Sequence, residues 1–189
     1  MSKTQNLLWA ETAIAHTHKM LPKGVANPTF IGQHTSPDAG RSLQLARLDA
    51  KQMGNSTSAR TAAAKWEGAG NCGEMARIAL KKLKTLGASP LHLMHIPVIN
   101  LANGSTINHT FVVIGGQNLS PVSGYPLGGS NCTQWGAEAV ICDPWISVAC
   151  AASNAHHSDW NAYALNAWYF DREEQAVANL PSKSAEAPF

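Results

Sequence analysis

The sequence predicts an α+β protein, and three observations predict it. Residues 4–20, 36–55 and 57–66 carry helical apolar periodicity or alanine-rich helix-forming composition. A fourth and stronger periodic stretch opens at Cys72 and stops at Gly87. After Pro90 the pattern changes to strand-like runs at 91–99, 106–115 and 138–143. A run of helices followed by a run of strands is the α+β order.

Leu7, Leu8, Ala10, Ile14, Ala15 and Met20 give the first helix a loose apolar stripe, closed by Leu21-Pro22 and Gly24. His16 and His18 within it are two apart, face different sides and cannot share a metal. Pro28, Gly32 and Pro37 mark 25–37 as a loop. Ser36-Pro37-Asp38 can start a second helix that buries Leu43, Leu45, Leu48 and Met53 and ends near Gly54-Asn55. The alanine-rich stretch from Thr57 to Trp66 completes a helical lobe.

Gly68, Gly70 and Gly73 surround Cys72, and Met75, Ala76, Ala79, Leu80, Leu83 and Leu86 follow at helical spacing. Gly87 stands where a C-terminal cap belongs. Asn103-Gly104 between the first two strands is a hairpin signal. Residues 116–137, rich in Gly, Ser, Asn and Pro, form a long loop before the strand that Pro144 halts. Trp160, Tyr163, Leu165, Trp168, Tyr169 and Phe170 make an aromatic segment that should pack on the core. The expected organisation is one domain over 1–180, a helical lobe (1–66) and a core (67–180), with a tail at 181–189.

With 189 residues, 44% hydrophobic and 14% charged, the composition is that of a globular chain with one well-filled core. The net charge of +2 and the scattered basic residues give no nucleic-acid or membrane-surface footprint. The longest basic cluster, Lys81-Lys82-Leu83-Lys84, reads as a solvated helix face. No apolar run reaches the roughly 20 residues of a membrane span, and no signal-peptide core follows Met1. Synthesis in the cytosol is therefore expected, with any export by another route. Four cysteines (Cys72, Cys132, Cys142, Cys150) are too few for a disulfide scaffold and lack paired zinc-ligand spacing; three buried or idle thiols and one special one fit best, though a Cys132–Cys150 or Cys142–Cys150 bridge stays open.

Three residues stand where thiol chemistry needs them. A thiolate, not a thiol, is the nucleophile, and a helix N-terminus and a neighbouring imidazolium both favour it. Cys72 opens the best helix, His109 precedes the apolar run Phe111-Val112-Val113-Ile114, and Asp143 ends a strand before Pro144-Trp145. Asp143 would hold one ring nitrogen of His109 and fix its tautomer. The backbone N–H of Cys72 and others of the Gly70–Gly73 turn would bind an oxyanion. Each residue also has an ordinary use, as buried thiol, core histidine or Asp-Pro turn; it is the ordered trio that points to an enzyme. Asn71, Gly73 and Asn108 are further oxyanion or substrate candidates. Glu74 reads as a first-turn complement to the helix N-terminus. His92 and His95 point to opposite faces of a strand, and His156-His157 beside Asp159 give only a faint metal signal, so neither a metal nor a cofactor is called for.

Gly70-Asn71-Cys72-Gly73-Glu74, His109 before its strand and Asp143-Pro144-Trp145 resemble the papain-like cysteine enzymes among secreted bacterial effectors and toxins. The likeness is greatest to the glutamine deamidase effectors, including the catalytic C-terminal domain of the Pasteurella mitogenic toxin, and covers about residues 68–145. The 37 positions from Cys72 to His109 suit that compact group. The resemblance implies Cys72 as nucleophile, His109 as general base and acid, and Asp143 as orienting carboxylate. It also implies an antiparallel sheet packed against the Cys72 helix. A protein substrate is implied, with a cognate immunity protein or secretion chaperone as further partners, and export by a dedicated bacterial system into a target cell. Two departures stand out. No glutamine lies between Trp66 and Cys72, which leaves the oxyanion role to the backbone or to another side chain such as Gln52. The 34 positions from His109 to Asp143 exceed the compact deamidases, an excess carried by the 116–137 loop.

The triad fits glutamine deamidation, peptide-bond cleavage, acyl transfer to an amine, or cleavage of a peptidoglycan cross-link, and the resemblance favours the first. From other classes, a non-catalytic binding module such as a toxin partner would need none of the three residues, and a metal-dependent hydrolase would lose activity in a chelator.

Overall fold

A computed structural model of the chain describes residues 1–26, 35–100, 106–117, 135–154 and 169–170. In chain order the elements are α1 (Lys3–Met20), β1 (Gly24–Val25), α2 (Ala39–Gln52), α3 (Thr57–Glu67), β2 (Ala69–Gly70) and α4 (Cys72–Thr85). Then follow β3 (Leu91–Asn100), β4 (Thr106–Ile114), β5 (Val140–Asp143), β6 (Val148–Ala151) and β7 (Tyr169–Phe170). The architecture is α+β. Strands β6-β5-β4-β3-β7 form an antiparallel sheet, and β1 and β2 form a small parallel pair.

The sheet's main register sets Leu91 opposite Ile114 and Leu93 opposite Val112, and then Val112 opposite Cys142 and Ile114 opposite Val140. These residues share one face and pack on Ala10, Ala13 and Ile14 of α1 and Ala76, Ala79, Leu80 and Leu83 of α4. The other face, with Met94, Phe111, Val113 and Ile141, is buried as well. Burial on both faces is why Phe111–Ile114 reads as a continuous apolar run rather than an alternation.

Three details depart from the sequence expectation. In α1 the buried stripe is Asn6, Ala10, Ala13, Ile14 and Thr17, while Leu8 is 56% exposed. Two polar residues can occupy it because Asn6 Nδ2 donates to the Glu138 carbonyl (2.9 Å) and Thr17 Oγ1 to the Ala13 carbonyl (2.8 Å). In α2 only Leu43 of the expected apolar set is buried; Leu45, Leu48 and Met53 face outward. The α2–α3 contact is made instead by Ala46, Ala50, Ala59 and Ala63, small residues that let the two helices approach closely. Strand β6 carries no long periodic pattern and has no counterpart among the strands expected from the sequence. The thiols of Cys142 and Cys150 are free, as expected of idle thiols: Cys142 faces Ala149 and Cys150 faces Ile141 across β5–β6, so the two point to opposite faces and the Cys142–Cys150 bridge is not formed. The Asn103-Gly104 turn, Cys132, His156-His157, most of the 160–170 segment and the 181–189 tail lie outside the described residues.

Gly115 closes β4 with φ of 77°, where a Cβ would meet Asn6 Nδ2 at 2.5 Å and the Glu138 oxygen at 2.8 Å. Gly115→Ala is therefore expected to destabilise the fold by about 2 kcal/mol or more, through backbone strain and loss of the Asn6 tie. A urea unfolding series reads it as a lowered midpoint at unchanged slope.

Candidate active site

Helix α4 ends only a few residues before Leu91, and Leu91 pairs with Ile114, the last residue of β4. The helix thus runs back along β4, and its N-terminus reaches the sheet end where β4 begins and β5 finishes. That geometry brings Cys72, His109 and Asp143 to one end of the fold.

The turn before Cys72 is fastened from outside. β1 pairs in parallel with β2 (Gly24 with Ala69, Val25 with Gly70), and Lys23 N and Ala26 N donate to the Gly68 and Gly70 carbonyls at 2.8 and 3.2 Å. Gly70 itself is needed for packing: a Cβ there would meet Leu21 Cδ1 and Glu74 Cβ at 3.0 Å. Asn71 is the N-cap, and its backbone N–H donates to Glu74 Oε2 at 3.1 Å. Glu74 is buried and has Arg47 Nη2 at 3.5 Å from its other oxygen. It therefore serves the helix start, as its position in the first turn predicts.

His109 is held by what surrounds it. Ile96 pairs with His109 and Ile99 with Ile107, so Pro97 and Val98 of β3 oppose the single Asn108 of β4. Proline lacks the N–H a regular ladder requires, and the resulting bulge falls beside His109, where a bulge re-aims a side chain. The imidazole stacks on Phe111 (5.8 Å between centroids, 15° between planes) and lies 4.9 Å from the Trp145 ring. Its Nε2 lies 2.5 Å from Asp143 Oδ2. The second carboxylate oxygen, Oδ1, accepts from Trp145 N (3.0 Å) and Ile146 N (3.4 Å), which explains why Asp precedes Pro144 in this turn.

His109 and Asp143 are fully buried and Cys72 is 8% exposed. Burial alone would keep His109 neutral, but the Asp143 charge and hydrogen bond, joined by a hydrogen bond and charge from Cys72, raise its pKa to about 10. With Nε2 given to Asp143, Nδ1 is the ring nitrogen left for the thiol. Two other described cysteines are disfavoured as anions: burial, then the nearby Asp143, pushes the thiols of Cys142 and Cys150 up. Cys72 is the described cysteine that has an imidazolium partner.

No family model, curated protein or solved structure matches this chain.

The remaining sequence candidates are placed as follows. Gly73 is partly exposed on the first turn of α4, next to Cys72. Asn108 is on β4 opposite the bulge, with its side chain outside the described ones. Gln52 ends α2 and lines a groove of about 370 Å³ with Asp49, Met53, Ala62, Ala63 and Trp66, a set that contains none of the triad residues. His92 is buried against the Gly116 carbonyl (2.9 Å), a structural use. Among the described residues no three of His, Cys, Asp and Glu converge as a metal set, and no helix is long and apolar enough to cross a membrane.

Sequence reasoning missed two contributors. Trp145 stands in the quoted Asp143-Pro144-Trp145 motif, yet its packing between His109 and the Cys72 cluster of Leu21, Met75 and Ile78 has no local pattern to announce it. His18 is exposed, within the surface or half-buried placement expected of it, yet its Nε2 contacts the Pro144 carbonyl at 2.7 Å and ties α1 to the turn that carries Asp143, a contact no local pattern announces.

Proposed function

We propose that the protein is a papain-like, cysteine-dependent amidohydrolase that deamidates glutamine side chains of a target protein. The observation that carries this reading is the buried His109 imidazole set between the Asp143 carboxylate and the Cys72 thiol at the start of α4. In the proposed reaction Cys72 Sγ bonds to the carboxamide carbon, and the negative oxygen is met by backbone N–H groups of the first helical turn, those of Cys72 and Gly73. The C–N bond breaks as His109 gives its proton to the departing nitrogen, releasing ammonia. Water, losing a proton to His109, then hydrolyses the thioester to leave glutamate and the Cys72 thiol. The near-burial of Cys72 favours a slender side-chain amide over a main-chain segment, which needs a wide groove. The resemblance to secreted effectors extends the proposal to export by a dedicated bacterial system and action inside another cell.

The test is proteomic. Eukaryotic and bacterial lysates are treated with the protein or with Cys72→Ala and compared by mass spectrometry. Site-specific Gln→Glu conversion found only with the unmutated protein is the expected result. New peptide termini would make it a protease instead, and the absence of any Cys72-dependent change would overturn the protein-modifying reading.

A further inference from the structure

The Lys81-Lys82-Leu83-Lys84 cluster looks in sequence like an ordinary solvated face, but the fold adds to it. Lys19 of α1 and Lys65 of α3 are brought to the same surface as Lys81 and Lys82 of α4. Lys82, Lys65 and Lys19 all lie close enough to His16 to reinforce the lowering that burial imposes on it, and Lys81 does the same to Lys65. A basic surface therefore spans three helices that are far apart in sequence.

That surface has a leading edge at the nucleophile. Gly73, Arg77 and Lys81 follow at four-residue spacing and form one side of α4. The Arg77 side chain folds back toward the helix start, as long helical side chains do, and its Nη1 lies 2.8 Å from where a Gly73 Cβ would be. Adding one Cα–Cβ bond and one Cα–Cα step places the guanidinium at most about 8 Å from the Cys72 Cα. A guanidinium stays charged at any working pH and offers a planar fork matched to a carboxylate. A lysine patch acts over a longer range, raising the local concentration of anionic segments.

We propose that Arg77, with the lysines of α1, α3 and α4, selects an acidic protein segment and sets one of its carboxylates beside the carboxamide that Cys72 attacks. This rests on the reading of Cys72 as an amidohydrolase nucleophile and adds the class of substrate. The expected target is a glutamine flanked by aspartate or glutamate, on a negatively charged surface.

The experiment needs no knowledge of the target. Cys72 is alkylated with neutral iodoacetamide and with anionic iodoacetate, and the modified site is followed by mass spectrometry. The iodoacetate-to-iodoacetamide rate ratio is expected to fall about three- to tenfold in Arg77→Gln, and to fall in the unmutated protein as salt is raised. Rapid alkylation of Cys72 by both reagents with the same ratio in the two proteins would overturn the role of Arg77 while leaving the nucleophile intact. Slow alkylation by both would remove the nucleophile reading, and this inference with it. In a second arm, poly-glutamate is expected to slow Cys72 alkylation, and to do so less in Lys65→Gln/Lys81→Gln/Lys82→Gln. Protection by duplex DNA or anionic vesicles but not by poly-glutamate would assign the surface to another anionic partner and overturn the proposal.

Discussion

Replacing Asp143 by alanine is expected to cost about 3–5 kcal/mol of folding stability and to abolish Cys72-dependent turnover. The carboxylate and its histidine are both completely buried, and removing one member of such a pair leaves the other charge without compensation. Two backbone N–H groups, of Trp145 and Ile146, lose their acceptor at the same time. Asp143→Asn separates stability from chemistry. An amide oxygen can still accept from Trp145 and Ile146, so the turn is retained. The amide N–H₂, however, would face Nε2 and force it to accept, leaving the ring proton on Nδ1, the side of the thiol. His109 could then no longer take a proton from Cys72. The expected outcome is a urea midpoint much nearer the unmutated one, with activity lower by roughly 10³–10⁴-fold. An Asp143→Asn protein of undiminished activity would show that the carboxylate only builds the turn.

Legibility in the sequence followed the physics of element boundaries. Cys72, His109 and Asp143 each stand where one local pattern stops and another starts: a glycine turn before a periodic helix, the mouth of an apolar run, an Asp-Pro strand end. Such boundaries are written in neighbouring residues, so one sequence reveals them. The α4 helix was legible for the same reason, through its spacing and Gly87. The features that aim the triad are made of distant residues. Val25 and Gly70 pair across 45 positions, His18 reaches Pro144 across 126, and Pro97 disturbs the ladder opposite Asn108. The first two leave no local signature, and Pro97 marks a break in β3 without showing which residue of β4 stands opposite it. Strand β6 is too short for a period to show. The outward leucines of α2 mislead because side-chain size, which the pattern counts, mattered less than the close helix approach that alanines allow. The basic surface was hidden in the same way, since its lysines come from three helices.

The charge state of His109 gives the fold an alkaline weakness. Its pKa stands near 10 in the folded protein against an ordinary value of 6.5, because Asp143 and Cys72 outweigh burial. Below pH 6.5 both folded and unfolded chains carry the proton, and the full contribution of the raised pKa is present. Between 6.5 and about 10 the unfolded chain has lost the proton that the folded one keeps, so stability falls as pH rises. The slope approaches 1.4 kcal/mol per pH unit, and the whole window is worth on the order of several kcal/mol. His92 acts in the other direction. Burial lowers its pKa, with the Gly116 hydrogen bond opposing, so its contribution is present above 6.5 and lost as pH falls further. The two together place the stability maximum near neutrality, with His109 setting the alkaline side. Urea unfolding at pH 6, 8 and 10 should show a descending midpoint. In His109→Gln the starting stability is lower, because Asp143 is left unpaired, but the descent between pH 6 and 8 should be largely gone, leaving above about pH 9 the loss that the raised thiols of Cys142 and Cys150 cause. An equal descent in both proteins would mean that His109 is not held as an imidazolium, and the proton donor of the proposed reaction would have to be sought elsewhere.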